Sequence, residues 1–339
     1  MMRLSALLMV VLLSGCAVLR ELDVVPGPVA DGMAVRPVFL ATDRAAEADD
    51  PLSIFYRGSG RGRAGALSFG RVDVTVPPRH RVGKMEWALK GQWNPRTHFT
   101  AREVFLYPGG SGFTDAVQRA TPEGAPVMVF VHGFNVAGAE AVLRSAQVAT
   151  DAGARGAVVA FSWPSMMRST AYRADRRRAQ GSAAALSGLL AELAGADRPI
   201  VLVTHSMGAL VAMEALEELT RAGQAAVVAR VRGLVLISPD LTAEQFMTQL
   251  RAIRPMPEEV TVMVSDRDQM LQLGGLVTRR RVLGAGQGVD ALEALPVRVV
   301  DLSGEASGFG LDSHIAGMRV PRALEGLRDA LRDVREDRR

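Results

Sequence analysis

A chain of 339 residues, 48% hydrophobic and 22% charged, is long enough for one large domain or two ordinary ones and too apolar for wholesale disorder. Its 40 Lys+Arg against 36 Asp+Glu leave a formal charge of only +4. With no compact basic patch interleaved with aromatics, no nucleic-acid partner is expected. The single cysteine excludes internal disulfides and cysteine-built metal sites.

The first residues read as an export signal. Arg3 supplies a positive charge, and Leu4 to Leu13 is an apolar run broken by Ser5, of signal-peptide length and too short to span a bilayer. The run ends in Leu13-Ser14-Gly15-Cys16, which resembles the lipobox of bacterial lipoproteins. The resemblance implies cleavage before Cys16 and lipidation of its thiol. The expected organisation is a signal peptide over residues 1–15, a tether over 16–33 and one domain over 34–339. Ala17, with no Asp after the cysteine, resembles the outer-membrane sorting outcome, so the expected location is the outer membrane, lipid-anchored and facing the periplasm.

Strand signals come next: Val38 to Ala41, the alternating Val72 to Val76, and Val104 to Leu106, with a Gly/Arg-rich loop at Arg57 to Gly65 between the first two. From Pro126 the pattern alternates strand with helix. Short apolar runs at Val127–Val131, Ala157–Phe161, Ile200–Val203, Gly233–Ile237, Val260–Val264 and Val297–Val300 read as buried parallel strands. Helical periodicity fills the gaps at Ala139–Thr150, Ala171–Leu193, Ala209–Arg221, Thr242–Ile253 and Pro321–Val334. The predicted class is α/β: a mostly parallel central sheet, helices on both faces and an N-terminal strand extension.

Ile200-Val201-Leu202-Val203-Thr204-His205-Ser206-Met207-Gly208 runs a strand directly into a serine and then a helix, the context of the nucleophile elbow in the α/β-hydrolase fold. Thr204 stands where the strict pattern has Gly. Ser68, in Ala66-Leu67-Ser68-Phe69-Gly70, fits a relaxed form of the pentapeptide but leads into a strand. The earlier strand Val127–Val131 ends in His132-Gly133-Phe134, so the expected oxyanion donors are the backbone N–H groups of Phe134 and Met207.

Five histidines compete for the base. His80 and His98 lie in the N-terminal extension, His132 in the oxyanion loop, and His205 beside the nucleophile, where adjacency is expected to turn it away from Ser206. The chain order serine, acid, histidine leaves His314. For the acid, Asp268 is placed first, with Asp266 beside it and Asp240 on the previous strand as competitors; Asp240 and Thr242 also read as caps of the following helix.

These residues resemble a bacterial family of α/β-hydrolase proteins of esterase/lipase-like kind. The resemblance spans nearly the whole mature chain: Ala41-Thr42-Asp43-Arg44, Phe69 to Val72, Val76-Pro77-Pro78 with His80, Val131 to Asn135, Phe161 to Ser165, Tyr172, Asp175, His205 to Gly208, Ser238-Pro239-Asp240, and Ser265 with Asp268. The Ser-x-x-Asp spacing is what favours Asp268 over Asp266. The resemblance implies ester chemistry through Ser206, His314 and Asp268, without metal or organic cofactor; its substrate would be a small-molecule or lipid ester. An acyltransferase with the same triad and a catalytically silent envelope scaffold are the alternatives.

Between Asp240 and Val260 there is room for one helix and no large lid. Gly274 to Gly288, with Arg279-Arg280-Arg281 inside it, reads as a solvated loop with a mobile flap as the second choice, and the basic run Arg173 to Arg178 as a solvated helix entrance.

Overall fold

The computed structural model describes residues 22, 24–27, 29, 32–47, 50, 52–56, 66–88, 91–195, 198–305 and 310–332; the expected signal peptide, Cys16 and the segment Arg57 to Gly65 lie outside them. Nine strands form one sheet: β1 Ala34–Thr42, β2 Ser68–Val76, β3 Thr100–Tyr107, β4 Val127–Val131, β5 Val158–Ser162, β6 Ile200–His205, β7 Val231–Ile237, β8 Glu259–Val264 and β9 Arg298–Asp301. Their order is β3-β2-β1-β5-β4-β6-β7-β8-β9. β2 pairs antiparallel with β1 and β3, and every other pairing is parallel. The N-terminal strand extension is therefore an antiparallel wing on a parallel sheet. Val25 N–H donates to Ala101 O at 2.8 Å, which brings part of the expected tether alongside β3.

The helices of ten residues or more are α1 Gly110–Arg119, α2 Gly138–Asp151, α3 Tyr172–Gly181, α4 Ala183–Ala194, α5 Gly208–Arg221, α6 Ala243–Ala252, α7 Gln269–Thr278 and α8 Pro321–Ala330. The apolar strand runs follow from cover on both faces. Val127, Val129 and Val131 of β4 pack with α1, α4, α5 and α6 through Phe113, Leu189, Leu216 and Phe246. Met128 and Phe130 point the other way, against Val142 and Ala146 of α2 and Leu327 of α8. No helix among the described residues is long and apolar enough to cross a membrane.

Three expectations about elements change. The helix expected over Ala171–Leu193 is two, α3 and α4, broken at Ser182, whose hydroxyl donates to Asp43 Oδ2 at 2.7 Å. Periodicity missed α1, whose Gly110-Ser111-Gly112 opening carries no apolar signal. The glycine-rich stretch from Gly274 is packed in part: Gly274, Gly275 and residues 282–285 are buried, whereas Leu276, Arg279 and Arg281 are exposed. Gly274 and Gly275 lie inside α7, and a Cβ on Gly274 would lie 2.6 Å from the Tyr172 hydroxyl. Leu283 and Gly284 are buried, and a Cβ on Gly284 would lie 2.5 Å from the Ser238 backbone.

Candidate active site

The connection order reverses at β4: β5 lies on one side of it and β6 on the other. In open α/β sheets such a switch point leaves a crevice at the carboxyl ends of the strands. Here those ends carry His132-Gly133-Phe134 and Ser206. Ser206 has φ 52°, the left-handed region that a non-glycine residue adopts at a cost of about 1–3 kcal/mol, so the turn is strained. Its backbone is fastened from the neighbouring strand: Ser206 N–H donates to Ile237 O at 2.9 Å, and Asp240 N–H donates to Ser206 O at 3.1 Å. Gly208 is required for the approach of α5 to β4, since a Cβ there would lie 2.4 Å from Val131 O. Thr204, in place of the usual Gly, is accommodated fully buried. Ser68 begins the strand β2, with no turn into a helix.

Phe134 and Met207 carry backbone N–H groups that have no hydrogen-bond acceptor among the described residues. The loop that aims the first is held hard. Arg44 is buried, donates from its guanidinium to Ser162 Oγ at 2.9 Å and Val136 O at 2.9 Å, and is lowered to about 10 by burial. Asp175 takes Ser165 Oγ–H at 2.7 Å and Met166 N–H at 2.8 Å; burial raises its pKa, with Ser165, Met166, Arg178 and the Asn135 backbone opposing. His132 stacks on Trp163 at 4.9 Å, and burial, helped by Arg44, lowers it to about 3, so it is neutral. Neutral imidazole has one N–H, so only one of its two close carbonyls, Gly133 O at 2.8 Å or Trp163 O at 3.1 Å, receives a hydrogen bond.

His314 and Asp268 come together across 46 residues of chain. His314 Nδ1 lies 2.8 Å from Asp268 Oδ2, both side chains buried. Asp268 caps α7, accepting Leu271 N–H on Oδ1 at 3.0 Å, which fixes the carboxylate at a helix N-terminus. Gln269, next to it, takes hold of the histidine turn: Gly310 N–H donates to Gln269 Oε1 at 2.9 Å, and Gln269 N–H to Ser313 Oγ at 3.4 Å. Ser206, His314, His132, Gly133 and Phe134, the last an expected oxyanion donor, line one cavity of about 250 Å³.

The competing carboxylates are elsewhere. Asp266 is exposed. Asp240 is fully buried and accepts the Tyr172 hydroxyl at 2.7 Å, with Arg176 at 2.7 Å and Arg280 at 3.4 Å. Asp240 does not cap α6; Thr242 does, through Gln245 N–H at 3.1 Å. The basic run is divided: Arg173 and Arg177 are exposed, though Arg173 donates to Val277 O at 2.6 Å, while Arg176 reaches Asp240 and Arg178 donates to Pro164 O at 3.0 Å. His205, expected to face away, shares the cavity. Its ring centroid is 4.6 Å from that of His314, and its Nε2 lies 3.3 Å from His314 O. Burial, then the His314 charge, lowers its pKa well below 6.5, so a neutral ring donates to that carbonyl. Sequence reasoning also missed His80 as a structural link, held by Asp151 at 2.6 Å and Glu86 at 2.8 Å.

The family described as alpha/beta hydrolase of unknown function (DUF900) matches residues 113–312, well over half of the chain. The chain belongs to that family. No curated protein matches this α/β hydrolase. Among solved structures it is similar to a dienelactone hydrolase from Anabaena variabilis at 18% identity, covering 62% of this chain and 85% of that one, with a TM-score of 0.39. A bacterial heroin esterase aligns at 15% identity over 89% and 86%, TM-score 0.39, and an esterase from Pyrobaculum calidifontis at 14% over 96% and 87%, TM-score 0.37.

Proposed function

We propose that this α/β hydrolase is a serine esterase working through an acyl-serine intermediate. The observation that carries the reading is the strained Ser206 elbow opening on the same cavity as His314, whose Nδ1 is held 2.8 Å from a buried Asp268. Asp268 on Nδ1 leaves Nε2 to take the Ser206 proton as Oγ attacks the ester carbonyl. The oxyanion is received by the Phe134 and Met207 N–H groups, donors already oriented and free of other acceptors. His314 then returns the proton to the leaving alkoxide, and water, deprotonated by the same Nε2, releases the acid and restores Ser206.

The lipobox-like Leu13 to Cys16 supports a second part of the proposal, that the enzyme is anchored through Cys16 to the outer membrane and works on the periplasmic side. A fluorophosphonate probe tests the chemistry without knowledge of the substrate: the mature protein should label on Ser206, and Ser206→Ala should not. Wild type that neither labels nor hydrolyses any p-nitrophenyl ester overturns the reading.

A further inference from the structure

The cavity at Ser206 is walled mainly by apolar side chains, among them Phe130, Phe134, Leu273, Val277 and Met318. Glu140 and Arg144 of α2 break that wall. Four residues apart, they share a helix face one turn from each other. Arg144 is buried, with 9% of its surface exposed, and donates from one guanidinium nitrogen to Gln147 Oε1 at 2.9 Å while the group lies 5.3 Å from the Trp87 ring. Glu140 is half-buried and has no hydrogen-bond or ion-pair partner among the described residues; Arg144 is near enough to attract it, but the two side chains form no direct bridge. Arg144 is also near enough to His205, beside the nucleophile, to lower its pKa.

Polar groups that face a mainly apolar cavity gain from a partner, so a half-buried acceptor and a buried donor fork that form no bridge with each other point to a ligand group that satisfies both. A hydroxyl does so, donating to Glu140 and accepting from Arg144. A carboxylate on the ligand would meet the like charge of Glu140, and an ammonium that of Arg144. We propose that the chain lying in this cavity carries a hydroxyl, so that the preferred substrates are hydroxyl-bearing esters rather than plain alkyl ones. The inference rests on the serine-esterase reading and deepens it by naming a substrate class. A cavity of about 250 Å³ lies just under the usual range for small-molecule sites, roughly 300–1,000 Å³, and fits a short chain better than a long-chain lipid.

The test uses two series of esters of increasing chain length, one with the hydroxyl on the acyl chain (p-nitrophenyl ω-hydroxyalkanoates) and one with it on the alcohol (diol monoacetates). Each is compared with its plain counterpart and with the carboxylate-ended analogue. Because burial pushes the Glu140 carboxyl up to about 7, the assay is run near pH 8, where Glu140 is mostly ionised. At one chain length in either series the hydroxy ester should be preferred in kcat/KM by about tenfold or more, well short of the roughly 10⁴–10⁵-fold that a site built around a hydroxyl can reach. Most of the preference should lie in KM. In Glu140→Leu, which breaks no hydrogen bond of the fold, the ratio should fall to near one; Arg144→Met should do the same if it folds. Equal rates for plain and hydroxy esters at every length overturn the inference. So does a carboxylate-ended ester as the best substrate, or a preference that survives Glu140→Leu. An enzyme labelled on Ser206 but indifferent to the hydroxyl loses only this inference, whereas one that neither labels nor turns over any ester loses both readings.

Discussion

Replacing Asp268 by Asn changes one atom and tests the acid most sharply. The carboxylate is fully buried with each oxygen assigned: Oδ2 faces His314 Nδ1 at 2.8 Å and Oδ1 accepts Leu271 N–H at 3.0 Å. Asn can keep only one of these. If its oxygen stays on Leu271, its NH₂ faces Nδ1, which must then accept, and the ring proton moves to Nε2. In that tautomer the imidazole cannot take the Ser206 proton. If the amide flips, two donors meet at the capped helix end, an unsatisfied pair costing about 1–3 kcal/mol. The inactive orientation is therefore the stable one. The same exchange of tautomers in serine proteases lowers kcat about 10⁴-fold, which is ~5.5 kcal/mol of transition-state stabilisation at ~1.36 kcal/mol per decade. Stability should fall by only about 1–2 kcal/mol, the difference between a charged and a neutral acceptor on two hydrogen bonds. Steady-state kinetics on p-nitrophenyl butyrate with a urea melt separates the two effects. Asp240→Asn should do the reverse: it leaves Arg176 and Arg280 facing a neutral group and costs roughly 3 kcal/mol of stability, with a smaller loss of kcat. If Asp268→Asn keeps activity within about tenfold of wild type while Asp240→Asn abolishes it, the acid has been assigned to the wrong strand.

Ser206→Ala should remove labelling and hydrolysis with stability within about 0.5 kcal/mol of wild type, while Ser68→Ala does neither. Because Ser206 sits at φ 52°, Ser206→Gly should be more stable than Ser206→Ala by roughly 1 kcal/mol in paired melts; equal midpoints would deny the strain. Gly208→Ala places a Cβ 2.4 Å from Val131 O and should lower the melting temperature by several degrees, corresponding to about 1–3 kcal/mol of overpacking. At His80 burial lowers the pKa, but the hydrogen bonds that the ring donates to Asp151 and Glu86, with their negative charges, outweigh it and hold the ring above 6.5. Its stabilisation is thus fully present below the unfolded value of about 6.5 and is lost as pH rises through the folded one. The stability gap between wild type and His80→Gln should narrow across that window, and a gap that widens would reverse the assignment. Intact-mass spectrometry of the mature chain should find an N-terminal acylated Cys16; an unmodified N-terminus would remove the anchor.

The sequence by itself determined the sheet and the elbow, because both are local. Two-sided burial writes continuous apolar runs such as Val127–Val131 into the chain, and a strand that enters a helix through His205-Ser206-Met207-Gly208 has few geometries open to it. Chain order then singled out His314 and left three carboxylates; the Ser-x-x-Asp spacing of the family resemblance put Asp268 first, but chain order alone does not record which of Asp266, Asp268 and Asp240 a distant imidazole will meet. Only the tertiary structure decided that. It brought Asp268 to His314, committed Asp240 to Tyr172 and two arginines, and turned His205 onto His314, where adjacency alone had pointed it away. The same holds for Arg44 on Val136 O, and for Glu140 and Arg144 in the cavity wall. These partners come from separate elements, and their meeting depends on how the helices lie over the sheet, a property of packed layers that no short stretch of residues encodes.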